Sequence, residues 1–133
     1  MAIVRPNRVL LVDDDVDAVE ALADFLGISG WVVHATYGGA QAVAVAPTFQ
    51  PDVVVVDINM PGMDGFETAH RIRQLPSVKL VRIVGYSGAA TAPIVRSTGS
   101  AYVECIVAKG APLELLLAAM ENQVTHPLFT ASK

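Results

Sequence analysis

Four places in this chain set residues able to do chemistry at the end of an apolar run. Asp13 and Asp14 follow LLV, Asp57 closes VVVVD, Ser87 follows RIVGY, and Lys109 follows CIVA. Short β-branched runs of this kind read as strands buried on both faces, where a carboxylate would be costly. At the rim of a strand the same group meets water, a metal or a donor. Brought to one rim, Asp13, Asp14 and Asp57 would repel and raise one another's pKa unless a cation neutralised them. Hard oxygen ligands suit Mg²⁺, which binds through one or two carboxylates, keeps several waters and completes its shell with phosphate oxygens. The chemistry this set predicts is phosphoryl transfer. Asp57 is a carboxylate nucleophile able to form an aspartyl phosphate, and Ser87 and Lys109 border the crevice as hydroxyl donor and cation.

What must position these groups is a sheet with its strand ends at one rim. An apolar run, a loop and a helical period recur along the chain, with strands predicted at Arg8 to Val12, Trp31 to Ala35, Val53 to Asp57, Leu80 to Gly85 and Val103 to Val107. The first helix, about Val16 to Leu26, puts Val19, Leu22, Ala23 and Leu26 on one face and stops at Gly27. The second, Gly39 to Ala46, ends at Pro47. The third has Asp64 as N-cap with Glu67 at capping-box spacing, and runs to Gln74. A weaker fourth, Thr91 to Thr98, carries Pro93 in its first turn and ends at Gly99. The fifth starts at Pro112 and aligns Leu113, Leu116, Leu117, Met120 and Val124. This alternation predicts the α/β class, a doubly wound five-stranded parallel sheet with right-handed crossovers and helices on both faces. A flavodoxin-like order 2-1-3-4-5 would make strands one and three neighbours at the switch point, where the three aspartates meet.

Composition bounds the rest. The chain has 133 residues, of which 53% are hydrophobic, enough for one closed core; residues 1–124 are expected to form the domain and 125–133 a tail. No apolar stretch reaches the roughly 20 residues of a bilayer span. The start, MAIVRPNR, lacks a secretory apolar region, and Cys105 is the only cysteine, so the expected compartment is a reducing cytoplasm. A formal charge of −4 with scattered Lys and Arg gives no footprint for direct binding to nucleic acid, and no membrane partner is expected.

The aspartate pair after VLLV, the acceptor in VVVVDINMPGMDGFE, the hydroxyl of GYS and the lysine of VAKG stand in the order of a known family. The chain resembles a bacterial response-regulator receiver domain of two-component signal transduction, chemotaxis-regulator-like, over nearly its whole length. The resemblance implies that Asp57 is phosphorylated by a sensor histidine kinase or a histidine phosphotransfer protein, and that a downstream effector protein responds. It implies that Asp13, Asp14, Asp57 and the backbone carbonyl of Asn59 organise Mg²⁺, while Ser87 and Lys109 contact the phosphoryl group. Such a domain catalyses only its own phosphorylation and dephosphorylation. A stand-alone regulator or phosphorelay intermediate is the expectation. Two positions depart from the family pattern: Gly110 stands where a proline usually follows the lysine, and Ile106 where an aromatic switch residue usually stands. Tyr102 would point to the same side of the sheet as Ile106, too far from Ser87 to substitute.

Other readings of these residues exist. Any one of Asp13, Asp14 and Asp15 could cap the first helix, Asp64 reads as a cap and not a ligand, and Ser87 or Lys109 alone could be an ordinary turn or surface residue. His34, His70 and His126 lack metal-ligand spacing, and Cys105 reads as an inert core thiol. One rival function is a haloacid-dehalogenase-type phosphatase with Asp13 as nucleophile, because Asp13 and Asp15 spell its Asp-x-Asp. It would leave Asp57 without a role. The other is a pseudo-receiver, a binding module that keeps the fold without phosphorylation.

Overall fold

The computed structural model describes residues 7–88, 93–96 and 102–121. Strands β1 (Asn7–Val12), β2 (Trp31–Thr36), β3 (Val53–Asp57), β4 (Arg82–Ser87), β5 (Ile94–Arg96) and β6 (Cys105–Ala108) form one sheet in the order β2-β1-β3-β4-β6-β5. Helices α1 (Val16–Ile28), α2 (Gly39–Phe49), α3 (Gly65–Arg73) and α4 (Leu113–Met120) cover it. Five strands run parallel in the expected 2-1-3-4-5 arrangement, and β5 adds an antiparallel edge. Alternate residues of each strand feed two cores. Leu10, Val12, Val54 and Val56 pack with Ala42, Ala46, Ala69 and Ile72 of α2 and α3. Val9, Leu11, Val53 and Val55 pack with Val19, Leu26, Leu116 and Met120 of α1 and α4. That two-sided burial is why the β3 valines run without a polar break.

Several boundaries move. The predicted helix over Thr91 to Thr98 is not formed in its described part, where Ile94–Arg96 is strand and pairs with the edge of β6; its other residues lie outside the described set. Ile94 and Val95 are β-branched, and an open strand edge outbids a marginal helix. Helix α1 passes through Gly27 to Ile28, and Gly30, at φ 101°, supplies the left-handed turn instead. Helix α2 continues past Pro47 to Phe49 without the one intrahelical bond that Pro47 cannot donate, and Gln50 closes the helix in the left-handed region at φ 54°. The Asp64 carboxylate caps α3 by accepting the Glu67 N–H at 2.8 Å. Glu67 does not reach back to complete a capping box; its carboxylate pairs with Arg71 at 2.8 Å.

Strand β4 starts at Arg82, since Leu80 is an exposed turn residue and Val78 and Val81 are buried in its place. The predicted strand from Val103 begins at Cys105, because the Glu104 carboxylate takes the Ile83 N–H at 2.7 Å. Arg73 braces that carboxylate at 3.0 Å and also donates to the Lys79, Val81 and Tyr102 carbonyls. His70 stacks on Tyr102 with ring centroids 4.6 Å apart, and His34 meets Phe49 edge-on, so both are packing residues. Cys105 is buried. His126, Val124 and the 125–133 tail lie outside the described residues. Among those described, no helix is long and apolar enough to cross a membrane.

Candidate functional site

Strand register assembles the site. Val12 pairs with Val56 across β1 and β3, so Asp13, the next residue of the chain, lies beside Asp57, the last residue of β3. Asp57 pairs in turn with Tyr86, and Ser87 with Ala108, which sets Lys109 just past the end of β6. The end of β1 is tied down from its other side: the Asp13 N–H donates to the Thr36 carbonyl at 3.2 Å, and the Thr36 hydroxyl to the Leu11 carbonyl at 2.7 Å.

The loop after β3 folds tightly over the strand end. The Ile58 N–H donates to the Tyr86 carbonyl, and the Gly65 N–H to the Ile58 carbonyl at 3.0 Å. A side chain at Gly65 would bring its Cβ within 2.5 Å of the Asp57 carbonyl oxygen, so only glycine lets α3 begin so close to Asp57.

Asp13 and Asp57 are buried, 7% and 5% exposed, and Asp14 is exposed. One oxygen of each of these three carboxylates lies within 4.8 Å of the others. The two buried groups are held alike. Asp13 Oδ1 accepts the Asp15 N–H at 3.0 Å, and Asp57 Oδ1 accepts the Asn59 N–H at 3.1 Å. Their Oδ2 atoms turn to Lys109, whose ammonium donates to Asp13 at 2.8 Å and lies 3.4 Å from Asp57. The Asn59 side-chain amide donates to the Ser87 hydroxyl at 3.3 Å. Burial, reinforced by the charge of Asp13, pushes the Asp57 carboxyl above its ordinary range, while the Asn59 N–H and Lys109 pull the other way. Burial alone would depress Lys109, but Asp13 and Asp57 outweigh it and hold the ammonium above its ordinary value.

All the sequence-predicted site residues are therefore brought together. Asp15 is not among them: it caps α1 by accepting the Ala18 N–H at 3.2 Å, so the Asp-x-Asp of a phosphatase has its second carboxylate committed to a helix end. The turn after Lys109 is closed without a proline, by the Lys109 N–H on the Ser87 carbonyl and the Ala111 N–H on the Ala108 carbonyl. Sequence reasoning missed Tyr86, which joins Leu11, Val19 and Val55 in lining a water-sized cavity of about 20 Å³ under Asp13 and Asp57. It also missed Thr36 and Gly65. For Gly65 there was a signal, a glycine straight after the Asp64 cap; for Tyr86 and Thr36 only the register reveals the contact.

The donor set fits a hard divalent cation. It is oxygen only, with three carboxylates against one ammonium, and one oxygen of each carboxylate lies within 4.8 Å of the others. Beside it, Ala18, Ala21, Leu22, Tyr86, Lys109 and Leu113 line an open apolar cleft of about 230 Å³.

A family model of the response regulator receiver domain matches residues 9–121. The transcriptional regulatory protein PrrA of Mycobacterium tuberculosis is 41% identical over 72 residues, which are 54% of this chain and 31% of PrrA. The chain thus spans under a third of the length of that curated relative. Among solved structures, Vibrio cholerae chemotaxis protein CheY4 shares the fold at a TM-score of 0.74 and 24% identity, over 89% of this chain and 98% of its own. A chain of the complex between histidine kinase ThkA and response regulator protein TrrA matches at a TM-score of 0.75 and 26% identity, over 88% of this chain and 97% of its own. TrrA of Thermotoga maritima in complex with Mg²⁺ and beryllofluoride matches at a TM-score of 0.58 and 30% identity, over 63% of this chain and 71% of its own.

Proposed function

We propose that this chain, which belongs to the response regulator receiver domain family, accepts a phosphoryl group from a phosphohistidine onto Asp57 and so switches a protein–protein interaction. The observation that carries the proposal is the convergence of three carboxylates on one ammonium at the C-terminal rim of the sheet. An Asp57 oxygen attacks phosphorus in line with the leaving imidazole; the P–N bond breaks, a P–O bond forms, and the bond's electron pair leaves on the ring nitrogen, which takes a proton from water so that the imidazole departs neutral. Asp57 Oδ1 stays fixed on the Asn59 N–H, which leaves Oδ2 as the attacking atom. The Lys109 ammonium, 3.4 Å from that atom, stabilises the charge carried by the transferred group, and the Ser87 hydroxyl supplies a further donor. Asp13, Asp14, Asp57 and the Asn59 carbonyl would hold Mg²⁺, which supplies neutralisation of the carboxylates and of the phosphoryl oxygens.

The donor is a sensor histidine kinase or a histidine phosphotransfer protein, docked over the cleft beside Lys109, and the receiver of the signal is an effector protein. The complex of ThkA with TrrA supports the choice of donor class. The receiver occupies residues 1–124, with 125–133 as a tail, and works in the cytoplasm as a signalling domain that turns over only its own phosphoryl group.

The test is incubation with acetyl phosphate followed by intact mass measurement. One phosphoryl group is expected with Mg²⁺, none with a chelator and none in Asp57→Asn. An adduct indifferent to the chelator, or one that survives in Asp57→Asn at equal yield, overturns the assignment. Loss of phosphomonoester turnover in Asp13→Asn but not in Asp57→Asn would establish the phosphatase instead.

A further inference from the structure

The antiparallel β5 lies where the winding of the sheet calls for a crossover helix. It pairs Ile94 with Val107, Val95 with Ile106 and Arg96 with Cys105. Just ahead of it, the Ala108 N–H donates to the Pro93 carbonyl at 2.9 Å. Pro93 has no N–H to give back. Bonded pairs alternate along an antiparallel ladder, so the next pair to exchange bonds is Val95 with Ile106. An edge strand this short belongs to the least stable part of a sheet.

The following amide of β6 faces the opposite way: the Lys109 N–H donates to the Ser87 carbonyl at 3.0 Å. Consecutive amides thus tie β6 to β5 on one side and to Ser87 on the other. Ser87 and Lys109 are also the two groups that a phosphoryl group on Asp57 would draw toward itself.

We propose that β5 is a strap whose hold on β6 is set by the chemical state of Asp57. The proposal rests on the reading of Asp57 as phosphoryl acceptor. Phosphorylation gives the Lys109 ammonium and the Ser87 hydroxyl a new common partner, and the hydroxyl leaves the Asn59 amide. The backbone at 108–109 turns with them, the Ala108 N–H comes off the Pro93 carbonyl, and the strap loses the rung nearest the site. The outer edge of β6 is then bared. Ile106 stays buried against Ile58 and Gly85 throughout, so the strand edge carries the change and no side chain has to swing. By reciprocity, the factor by which modification favours the open strap is the factor by which the open strap favours modification, so a change that opens the strap favours the modified form by up to that factor.

Two measurements on the full chain test this. Amide exchange is followed by NMR with and without acetyl phosphate and Mg²⁺, with the adduct quantified by intact mass. The Ala108 and Ile106 amides are expected to exchange about tenfold faster in the phosphorylated chain, and those of β1 to be unchanged. Val95→Pro removes the strap's central N–H without touching the site, and is expected to bind beryllofluoride with Mg²⁺ about tenfold more tightly than the unaltered chain. If the adduct forms and Ala108 stays equally protected, the strap proposal falls while the acceptor reading stands. Unchanged beryllofluoride affinity in a folded Val95→Pro also overturns it. If that variant does not fold, the exchange measurement on the unaltered chain decides alone. If no adduct forms at all, both readings fall.

Discussion

Lys109→Met replaces the ammonium that neutralises the carboxylate cluster with an uncharged chain of similar length. With Nζ at 2.8 Å from Asp13 and 3.4 Å from Asp57, the gross attractions at an effective dielectric of about 20 are about 6 and about 5 kcal/mol. Desolvation of the ammonium and the two carboxylates offsets most of this, at several kcal/mol per ion. Removing one partner of a fully buried pair costs about 3–5 kcal/mol. The Lys109 side chain is 28% exposed, and discounting for solvent screening leaves about 2 kcal/mol. For a domain of this size that is a fall in Tm of about 6–10 °C.

The sign of the metal dependence follows from the same charges. In chelator the variant holds uncompensated carboxylates, so it gains more than the unaltered chain when Mg²⁺ is added, and the gap in Tm narrows. Lys109 is held above 10.5 in the fold, so its contribution is complete below the unfolded value and is lost only as pH rises through the folded one; a neutral assay sees all of it. The assay is calorimetry at neutral pH in chelator and in millimolar Mg²⁺, repeated for Asp13→Asn and for the double variant. A coupling between the two substitutions of about 1–2 kcal/mol is expected in chelator. Equal melting of Lys109→Met and the unaltered chain in chelator, or a deficit that Mg²⁺ leaves untouched, would refute the argument that Lys109 neutralises the cluster.

Three further outcomes are expected. Asp57 has a folded pKa above 3.8, so the fold binds this proton more tightly than the unfolded chain, and the stabilisation is present below that value and lost as pH rises through the folded pKa. In chelator, acidification from neutral down to 3.8 should therefore stabilise the unaltered chain relative to Asp57→Asn, as read by urea unfolding; a difference that stays constant, or turns against the unaltered chain, all the way down to that value would contradict the sign. Gly65→Ala should cost about 1–3 kcal/mol, because its Cβ falls 2.5 Å from the Asp57 carbonyl oxygen, and should slow acetyl phosphate uptake measured by mass. Arg73→Ala should cost about 2–3 kcal/mol in urea unfolding by stripping the donor from Glu104 and the Tyr102 carbonyl, and should leave phosphoryl uptake by the folded protein intact.

The site was more legible in the sequence than the elements between its parts, for a physical reason. A charge is excluded from a strand buried on both faces, so a carboxylate after VVVV or LLV marks the strand's rim whatever the rest of the chain does. Once the order 2-1-3-4-5 is assumed, the rims of β1 and β3 meet, and Asp13, Asp14 and Asp57 follow. Element ends obey weaker rules. Gly27 and Pro47 are both local stop signals, yet Gly30 and Gln50 make the turns, and past Pro47 the Phe49 side chain packs against the core. Asp15 shows the limit from the other direction. Spacing alone left it as nucleophile partner or cap, and only the contact with the Ala18 N–H decides for the cap. The Lys109–Asp13 ion pair joins residues 96 positions apart, and no local pattern encodes such a distance.

Ile106 joins the least legible segment to the chemistry. An aromatic ring at this position could register events at Ser87 by turning in and out of the sheet. Here the space is filled: a Cβ on Gly85 would sit 2.8 Å from Ile58 Cδ1 and 3.0 Å from Ile106 Cγ1, and Ile106 is 8% exposed. A buried β-branched side chain is restricted in its rotamers and cannot sweep a ring in and out. What can still move is backbone that is lightly held, and on β6 that is the edge toward β5, one residue from Lys109. In the strap proposal, the isoleucine at 106 and the edge strand Ile94–Arg96 belong to one arrangement, in which the pairing of β5 with β6 carries the response to Asp57. Ile106→Tyr tests this dependence directly. With Gly85 and Ile58 unchanged, the ring has no cavity to enter and must displace the β6 edge, so Ala108 should lose protection even in the unphosphorylated chain. Full retention of that protection would show that the interior at Gly85 yields to a ring, and that the packing argument fails.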